Sequence, residues 1–327
     1  MNTWQLYDPT AENAEGPIAL PSPPPWRQAG HLREAVLAAT FQPRPELVDA
    51  VNTALYVRRP LLLTGKPGTG KSSLIHSVAT KLGMGSVIEW PVNSRSTLQE
   101  GLYQYDALGR LQHIQQLNAR SDDSARGDVF AREANEAEEL GQFLTLGPLG
   151  TALASRLPPR ALLVDEIDKS DIDLPNDLLN VLDTGRFVIP ELKRVAGRFP
   201  VVKVSGSDGE PIDIHNGEIR FSEFPFVVMT SNGERDFPAP FLRRCVQCQI
   251  AEPDEAELLS IVAAHFPNTQ FGAAEAVIVA DFIKRRGSLQ MVTDQLLNAV
   301  HMLHQTGASH FEVHRDRLSK TLFQKLG

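Results

Sequence analysis

The run Gly65-Lys66-Pro67-Gly68-Thr69-Gly70-Lys71-Ser72 constrains this chain more than any other stretch. It follows three leucines, Leu61 to Leu63, and opens a segment with Leu74, Ile75, Val78, Ala79 and Leu82 at helical spacing that stops at Gly83. A short, wholly apolar run reads as a parallel strand covered on both faces, and the period of the next segment reads as a helix. Glycines between the two let the backbone turn tightly, so that its N–H groups converge on phosphate oxygens while the positive end of the helix faces the same anion. The loop that holds the phosphates is then Gly65, Lys66, Pro67, Gly68, Thr69 and Gly70, continued by Lys71, Ser72 and Ser73. Lys71 is placed to reach the β- and γ-phosphates, and Ser72 to bind Mg²⁺ through its hydroxyl.

A second apolar strand, Leu162-Leu163-Val164, ends in Asp165-Glu166. In an open parallel sheet, ligands bind at the carboxyl ends of the strands, so these acids fall on the edge where phosphates are held. Asp165 is expected to orient Mg²⁺ through its water shell, and Glu166 to polarise the attacking water. Further strands are read at 86–92, 226–230 and 245–250, with helices at 31–39 and 45–55 and, with a turn at Gly185, between 171 and 187. Strands alternating with helices predict an α/β domain with a mostly parallel sheet flanked by helices. After Pro253 the pattern turns helical, with Asp254 and Glu257 spaced as a capping box and helices expected near 273–286, 288–305 and 313–325. The expected organisation is an extended Pro-rich arm over 1–31, anchored by Trp4 and Trp26, a nucleotide-binding domain over 32–250 and a small all-helical lid over 251–327.

Over about residues 40 to 325 the chain resembles the MoxR-type branch of the AAA+ ATPases. The resemblance lies in the phosphate loop, Gly147-Pro148-Leu149, Leu163-Val164-Asp165-Glu166-Ile167-Asp168-Lys169, Thr230-Ser231-Asn232 and the pair Arg243-Arg244. It implies that Asn232 is a sensor that helps hold the water. It also implies an arginine finger given in trans to a neighbouring subunit's nucleotide, for which Arg244 aligns better and Arg243 is the alternative. A local ion pair with an acid is the alternative role for Arg243. The family implies a homo-oligomeric ring, usually a hexamer, with ATP between subunits. It further implies remodelling or assembly of partner proteins, often ones with a von Willebrand factor A domain. Two insertions, about 101–143 and 200–222, match that branch. The second has Val201, Val202 and Val204, a turn over Ser205 to Gly209, then Ile212, Ile214 and Ile219, and reads as a β-hairpin. One departure is the third lid helix, expected to begin at Gly287-Ser288-Leu289-Gln290-Met291, with no sensor arginine in its first turn. Arg285 and Arg286 lie just before it. Slow turnover in a nucleotide-gated scaffold is therefore the alternative function.

Composition narrows the partners. The 327 residues carry a net charge of -8, which argues against a general nucleic-acid binder. Arg194, Arg198, Lys203 and Lys284 to Arg286 leave a nucleic-acid motor as the lowest-ranked reading. Two cysteines form no disulfide framework and fit a reducing, cytoplasmic setting. No run of 18 or more apolar residues suggests a membrane span, and no leader pattern is visible. Cys245 and Cys248 are expected to be buried strand cysteines on opposite faces rather than half a zinc site. His301, His304, His310 and His314 are expected to form a polar lid face. Asp168, Asp171, Asp173 and Asp177 are expected to cap and solubilise the approach to a helix. The segment 41–47 is the expected neighbourhood of the base.

Overall fold

The computed structural model describes residues 19–27, 31–120, 139–154, 158–221, 223–267, 272–286, 291–306 and 321–323. Along the chain the helices are α1 (His31–Thr40), α2 (Pro45–Val57), α3 (Lys71–Leu82), α4 (Leu98–Leu102), α5 (Ala107–Arg120), α6 (Pro148–Ala154), α7 (Leu174–Thr184), α8 (Pro190–Val195), α9 (Ala239–Leu242), α10 (Glu255–His265), α11 (Ala273–Arg286) and α12 (Thr293–Thr306). The strands are β1 (Leu61–Thr64), β2 (Ile88–Pro91), β3 (Tyr103–Tyr105), β4 (Leu144–Leu146), β5 (Ala161–Asp165), β6 (Arg186–Val188), β7 (Val201–Ser205), β8 (Pro211–His215), β9 (Glu218–Arg220), β10 (Phe226–Ser231) and β11 (Val246–Gln249). They fall into two compact units. One gathers Met1–Arg44, Gly65–Ser77 and Ile250–Gly327; the other gathers Pro45–Thr64 and Val78–Gln249.

The second unit is built on a parallel sheet in the order β11-β1-β10-β5-β2. Its three middle strands are apolar and buried along their length, with only Thr64 and Asp165 at their ends partly exposed. Strands covered on both faces need such continuous apolar sequence, and the register stacks it: Leu61 opposes Val228, which opposes Leu163. The core of this unit continues through Trp90, Leu149, Leu178, Phe187, Val202 and Phe241. The fold is therefore the expected α/β class, a parallel sheet with helices and a separate helical part.

A second sheet, β3-β4-β7-β8-β9-β6, was not legible in advance. Its hairpin β7–β8 is the one expected within 200–222, with Val202 opposite Ile214 and Val204 opposite Ile212. The neighbouring strands β3, β4, β6 and β9 are three residues long, too short for alternation to show. The helix expected between 171 and 187 ends at Thr184, and Gly185, where a turn was expected, lies in the left-handed region and turns the chain into β6. Helix α4, which leads into the 101–143 insertion, carries a complete capping box between Thr97 and Glu100; within the insertion α5 follows β3, and residues 121–138 lie outside the described residues.

In the first unit, α10, α11 and α12 enclose a core of Leu258, Val262, Ile278, Phe282, Leu296 and Val300, into which Trp26 inserts. The capping box of Asp254 and Glu257 is present, and Glu257 also takes a bidentate ion pair from Arg44 at 2.5 and 2.6 Å. The third helix begins at Thr293, later than expected, and residues 287–290 lie outside the described residues. So do Trp4, His310, His314 and most of the helix expected over 313–325. No helix among the described residues is long and apolar enough to cross a membrane.

Among the described residues, His265, His301 and His304 are tied into this core rather than forming a solvated face. The Trp26 ring meets His265, Phe266 and His301 edge-on at 5.6 to 5.9 Å, and His304 Nε2 lies 2.9 Å from Glu275 Oε1. Burial holds His265 below its usual pKa, against a backbone bond to Ile261 that raises it. Burial likewise lowers His301, helped by the nearby charge of His304. The unfolded chain therefore binds more protons than the folded one below the usual histidine value of 6.5. Stability conferred by the neutral rings is present above that pH and lost as pH falls through it. Thermal unfolding followed by circular dichroism should show a midpoint that drops below about pH 6.5, and His265→Phe should flatten that dependence.

Candidate active site

The site grows from the ends of β5 and β10. After Asp165 the chain turns sharply: Glu166 sits in the left-handed region at φ 59°, and Ile167–Lys169 form a single 3-10 turn. A non-glycine residue held there costs on the order of 1 kcal/mol or more and persists only where its surroundings fix it. Thr230, fully buried near the end of the adjacent strand β10, supplies that fixing. Its hydroxyl donates to Asp165 Oδ1 at 2.5 Å and accepts the Glu166 N–H at 2.9 Å. One hydroxyl thereby sets the direction of both acids.

Asn232 and Glu166, predicted separately, are brought together. Asn232 Nδ2 donates to Glu166 Oε1 at 3.2 Å. The other carboxylate oxygen, Oε2, accepts from Lys169 Nζ at 2.7 Å. That bond is the main reason the Lys169 ammonium is held above its usual pKa. Asp168 corrects its expected role as a solvated cap. It is buried, and its Oδ2 accepts the backbone N–H groups of Asn232 at 2.9 Å and Glu234 at 3.1 Å. Asp173 does occupy the residue before α7, but its side chain makes no capping bond.

The phosphate loop follows β1 directly and leads into α3, as expected. Gly68 at φ +76° and Gly70 at φ +85° adopt backbone that side chains disfavour, and a Cβ on Gly68 would meet Val292 at 2.6 Å. Lys71 Nζ donates to the carbonyls of Gly65 at 2.7 Å and Lys66 at 2.9 Å, so the cation lies inside the turn of its own loop. The loop is exposed at Lys66, Pro67 and Gly68, and Lys66 pairs with Glu252 at 2.9 Å. Ser72 and Ser73 occupy the first turn of α3. Phe41, in the segment expected near the base, lies beside Gly70, its ring 3.6 Å from where a Cβ would stand. An ammonium, a glycine turn and a hydroxyl at a helix start form a donor set that fits a nucleotide's phosphates. Ser72, in the first turn of α3, and Asp165, at the end of β5, each carry a hard oxygen of the kind Mg²⁺ takes. Among the described residues no cluster of three His, Cys, Asp or Glu could hold a metal by itself.

The two finger candidates differ. The local ion pair expected of Arg243 is made by Arg244 instead, with Asp183 at 3.2 Å between half-exposed side chains. Arg243 is exposed, and its carbonyl accepts from Arg59 Nη1 at 3.1 Å. An exposed pair of this kind is weak and can be exchanged for another partner. Cys245 is buried, and its thiol is pushed up to about 12 by burial. Cys248 is only half-buried, which corrects the expectation of two buried thiols.

Glu166, Asn232 and the strand end at Asp165 thus lie together at the carboxyl edge of the parallel sheet in an α/β fold. Residues 60–244, more than half of the chain, match the model for the AAA domain, dynein-related subfamily, and the chain belongs to that family. Among solved structures it is similar to a "putative ATPase" from Cytophaga hutchinsonii, at 11% identity and a TM-score of 0.42, over 77% of this chain and 61% of that one. This chain therefore spans less than two thirds of that protein's length. Comparison with curated proteins finds no match.

Thr230, Asp168 and Lys169 were missed as functional residues. A hydroxyl at the end of an otherwise apolar buried strand was the available signal for Thr230, since such a group needs a partner. Thr230→Val keeps the volume but removes both bonds. It should lower unfolding stability by about 1–3 kcal/mol, read from urea denaturation, because the hydroxyl's bonds to Asp165 and to the Glu166 N–H are both lost.

Proposed function

We propose that this chain is an Mg²⁺-dependent ATPase of MoxR type, working in a homo-oligomeric ring and remodelling or assembling partner proteins. The observation that carries the hydrolytic reading is the Glu166 carboxylate, oriented through Oε1 by Asn232 at 3.2 Å, in a chain with a complete phosphate loop. A carboxylate so held can accept a proton from water as it attacks phosphorus. Lys71 would leave the loop carbonyls and bind β- and γ-phosphate oxygens. Ser72 and Asp165 would hold Mg²⁺, which would supply charge neutralisation at the phosphates. Arg243 or Arg244 would act on a neighbour's nucleotide, Arg244 after leaving Asp183.

The hairpin β7–β8 ahead of β10 and the α4-β3-α5 insertion support the MoxR-type branch. A protein partner, including one with a von Willebrand factor A domain, follows from that branch, and the charge of -8 weighs against nucleic acid. Two free cysteines support a cytoplasmic setting. One observation favours the alternative of a nucleotide-gated scaffold with slow basal turnover: Lys169 occupies the second oxygen of Glu166. In that reading a partner or neighbour speeds turnover by drawing Lys169 away.

Steady-state hydrolysis and binding of a fluorescent ATP analogue test the proposal together. Glu166→Gln should lose turnover on the order of 100-fold or more with binding retained, as expected when a group acts only in the transition state. Lys71→Ala should weaken binding itself. Removing the true finger should lower turnover by on the order of 1,000-fold and be rescued by mixing with Glu166→Gln subunits, which donate an intact arginine. Wild-type turnover in Glu166→Gln would remove the catalytic assignment.

A further inference from the structure

The turn after β5 and the loop after β10 are zipped together behind the Glu166–Asn232 pair. From one side, Asp168 Oδ2 gathers the N–H groups of Asn232 and Glu234. From the other, Arg235 Nη1 donates to the Ser170 carbonyl at 2.8 Å and Nη2 to the Asp171 carbonyl at 3.4 Å. Each loop thus contributes one side chain that holds the other loop's backbone. The Asn232 side chain starts from a Cα whose N–H is pinned by a residue of the Glu166 turn. The distance from Asn232 Nδ2 to Glu166 Oε1 is therefore set by Asp168 as much as by either partner.

Asp168 also keeps an unusual environment to do this. It is 5% exposed, and its Oδ1 is buried with no hydrogen-bond partner among the described residues. Leaving a carboxylate oxygen dry is unfavourable, and a turn that only needed capping could use a solvated acid instead. The buried oxygen that is used makes two charge-assisted bonds, which are shorter and stronger than neutral ones and restrict the loop accordingly.

We propose that Asp168 is a positioning residue for hydrolysis, locking Asn232 against Glu166 so that the general base keeps its orientation. This rests on Glu166 being the base. The role differs from structural support because it predicts lost turnover at preserved nucleotide binding. A misplacement of about 1 Å in a reacting geometry costs on the order of 100-fold in rate.

The test compares Asp168→Leu, nearly isosteric but without acceptors, with Asp168→Asn, which keeps one oxygen for the two N–H groups. In the full chain, Asp168→Leu should lower kcat on the order of 10- to 100-fold with the ATP-analogue Kd within about twofold. Hydrogen exchange in a peptide spanning 230–236 should speed up in the same variant. Asp168→Asn should recover most of the turnover and the protection. Arg235→Gln, a change at a half-buried residue that leaves no large cavity, should show the same split at smaller size and serves if Asp168→Leu does not fold. Unchanged kcat in Asp168→Leu or, if that does not fold, in Arg235→Gln overturns the proposal. So does a loss of binding in step with kcat, or exchange no faster than in the parent. If the parent chain hydrolyses no ATP, the reading of Glu166 as base fails instead, while the exchange measurements still decide whether Asp168 locks the loop.

Discussion

Two neighbouring parallel strands, buried on both faces, come to an end beside each other, and what happens there governs the rest. Strands β5 and β10 hold together through apolar side chains and backbone bonds, neither of which can direct a carboxylate. The Thr230 hydroxyl is the group that does, giving its proton to Asp165 and taking the Glu166 N–H. Because hydroxyl, acid and amide are all satisfied in one small cluster, the left-handed turn at Glu166 becomes affordable. From that turn follow the 3-10 segment, the burial of Asp168 and the zip to the loop after β10.

That arrangement separates holding from reacting. Asp165 and Thr230 belong to the rigid sheet, whereas Glu166, Lys169 and Asn232 are reached from turns. Glu166 is bound by an amide on one oxygen and an ammonium on the other. The amide bond orients; the ammonium bond, between two side chains about 40% exposed, is screened and exchangeable. A competing contact to Lys169 would release that oxygen of Glu166 without moving the sheet.

Much of the fold was legible because its signals are local. The apolar runs of β1, β5 and β10 need burial on both faces, and the glycine-rich turn between strand and helix has few other uses. The second sheet was less legible, since strands as short as β3, β4, β6 and β9 have no measurable period and exist only by pairing. The candidate site divides the same way. Glu166, Asp165 and the loop from Gly65 to Ser73 stood out by chemistry and spacing. Asp168 did not, because among several nearby acids nothing in the sequence marks the buried one.

By itself the sequence determined the α/β class, the phosphate loop with Lys71 and Ser72, the acidic strand end and the capping box at Asp254 and Glu257. Each depends on residues close along the chain, where steric preference, period and hydrogen-bond reach act directly. Only the tertiary structure decided that Asn232 meets Glu166, that Thr230 bridges Asp165 and Glu166, that Asp168 turns inward and that Arg244 pairs with Asp183. Those contacts join residues some 60 positions apart, and their formation depends on the order of strands in the sheet. Strand order is a global packing outcome, so the chemistry of the pair at Glu166 becomes visible only once β10 lies beside β5.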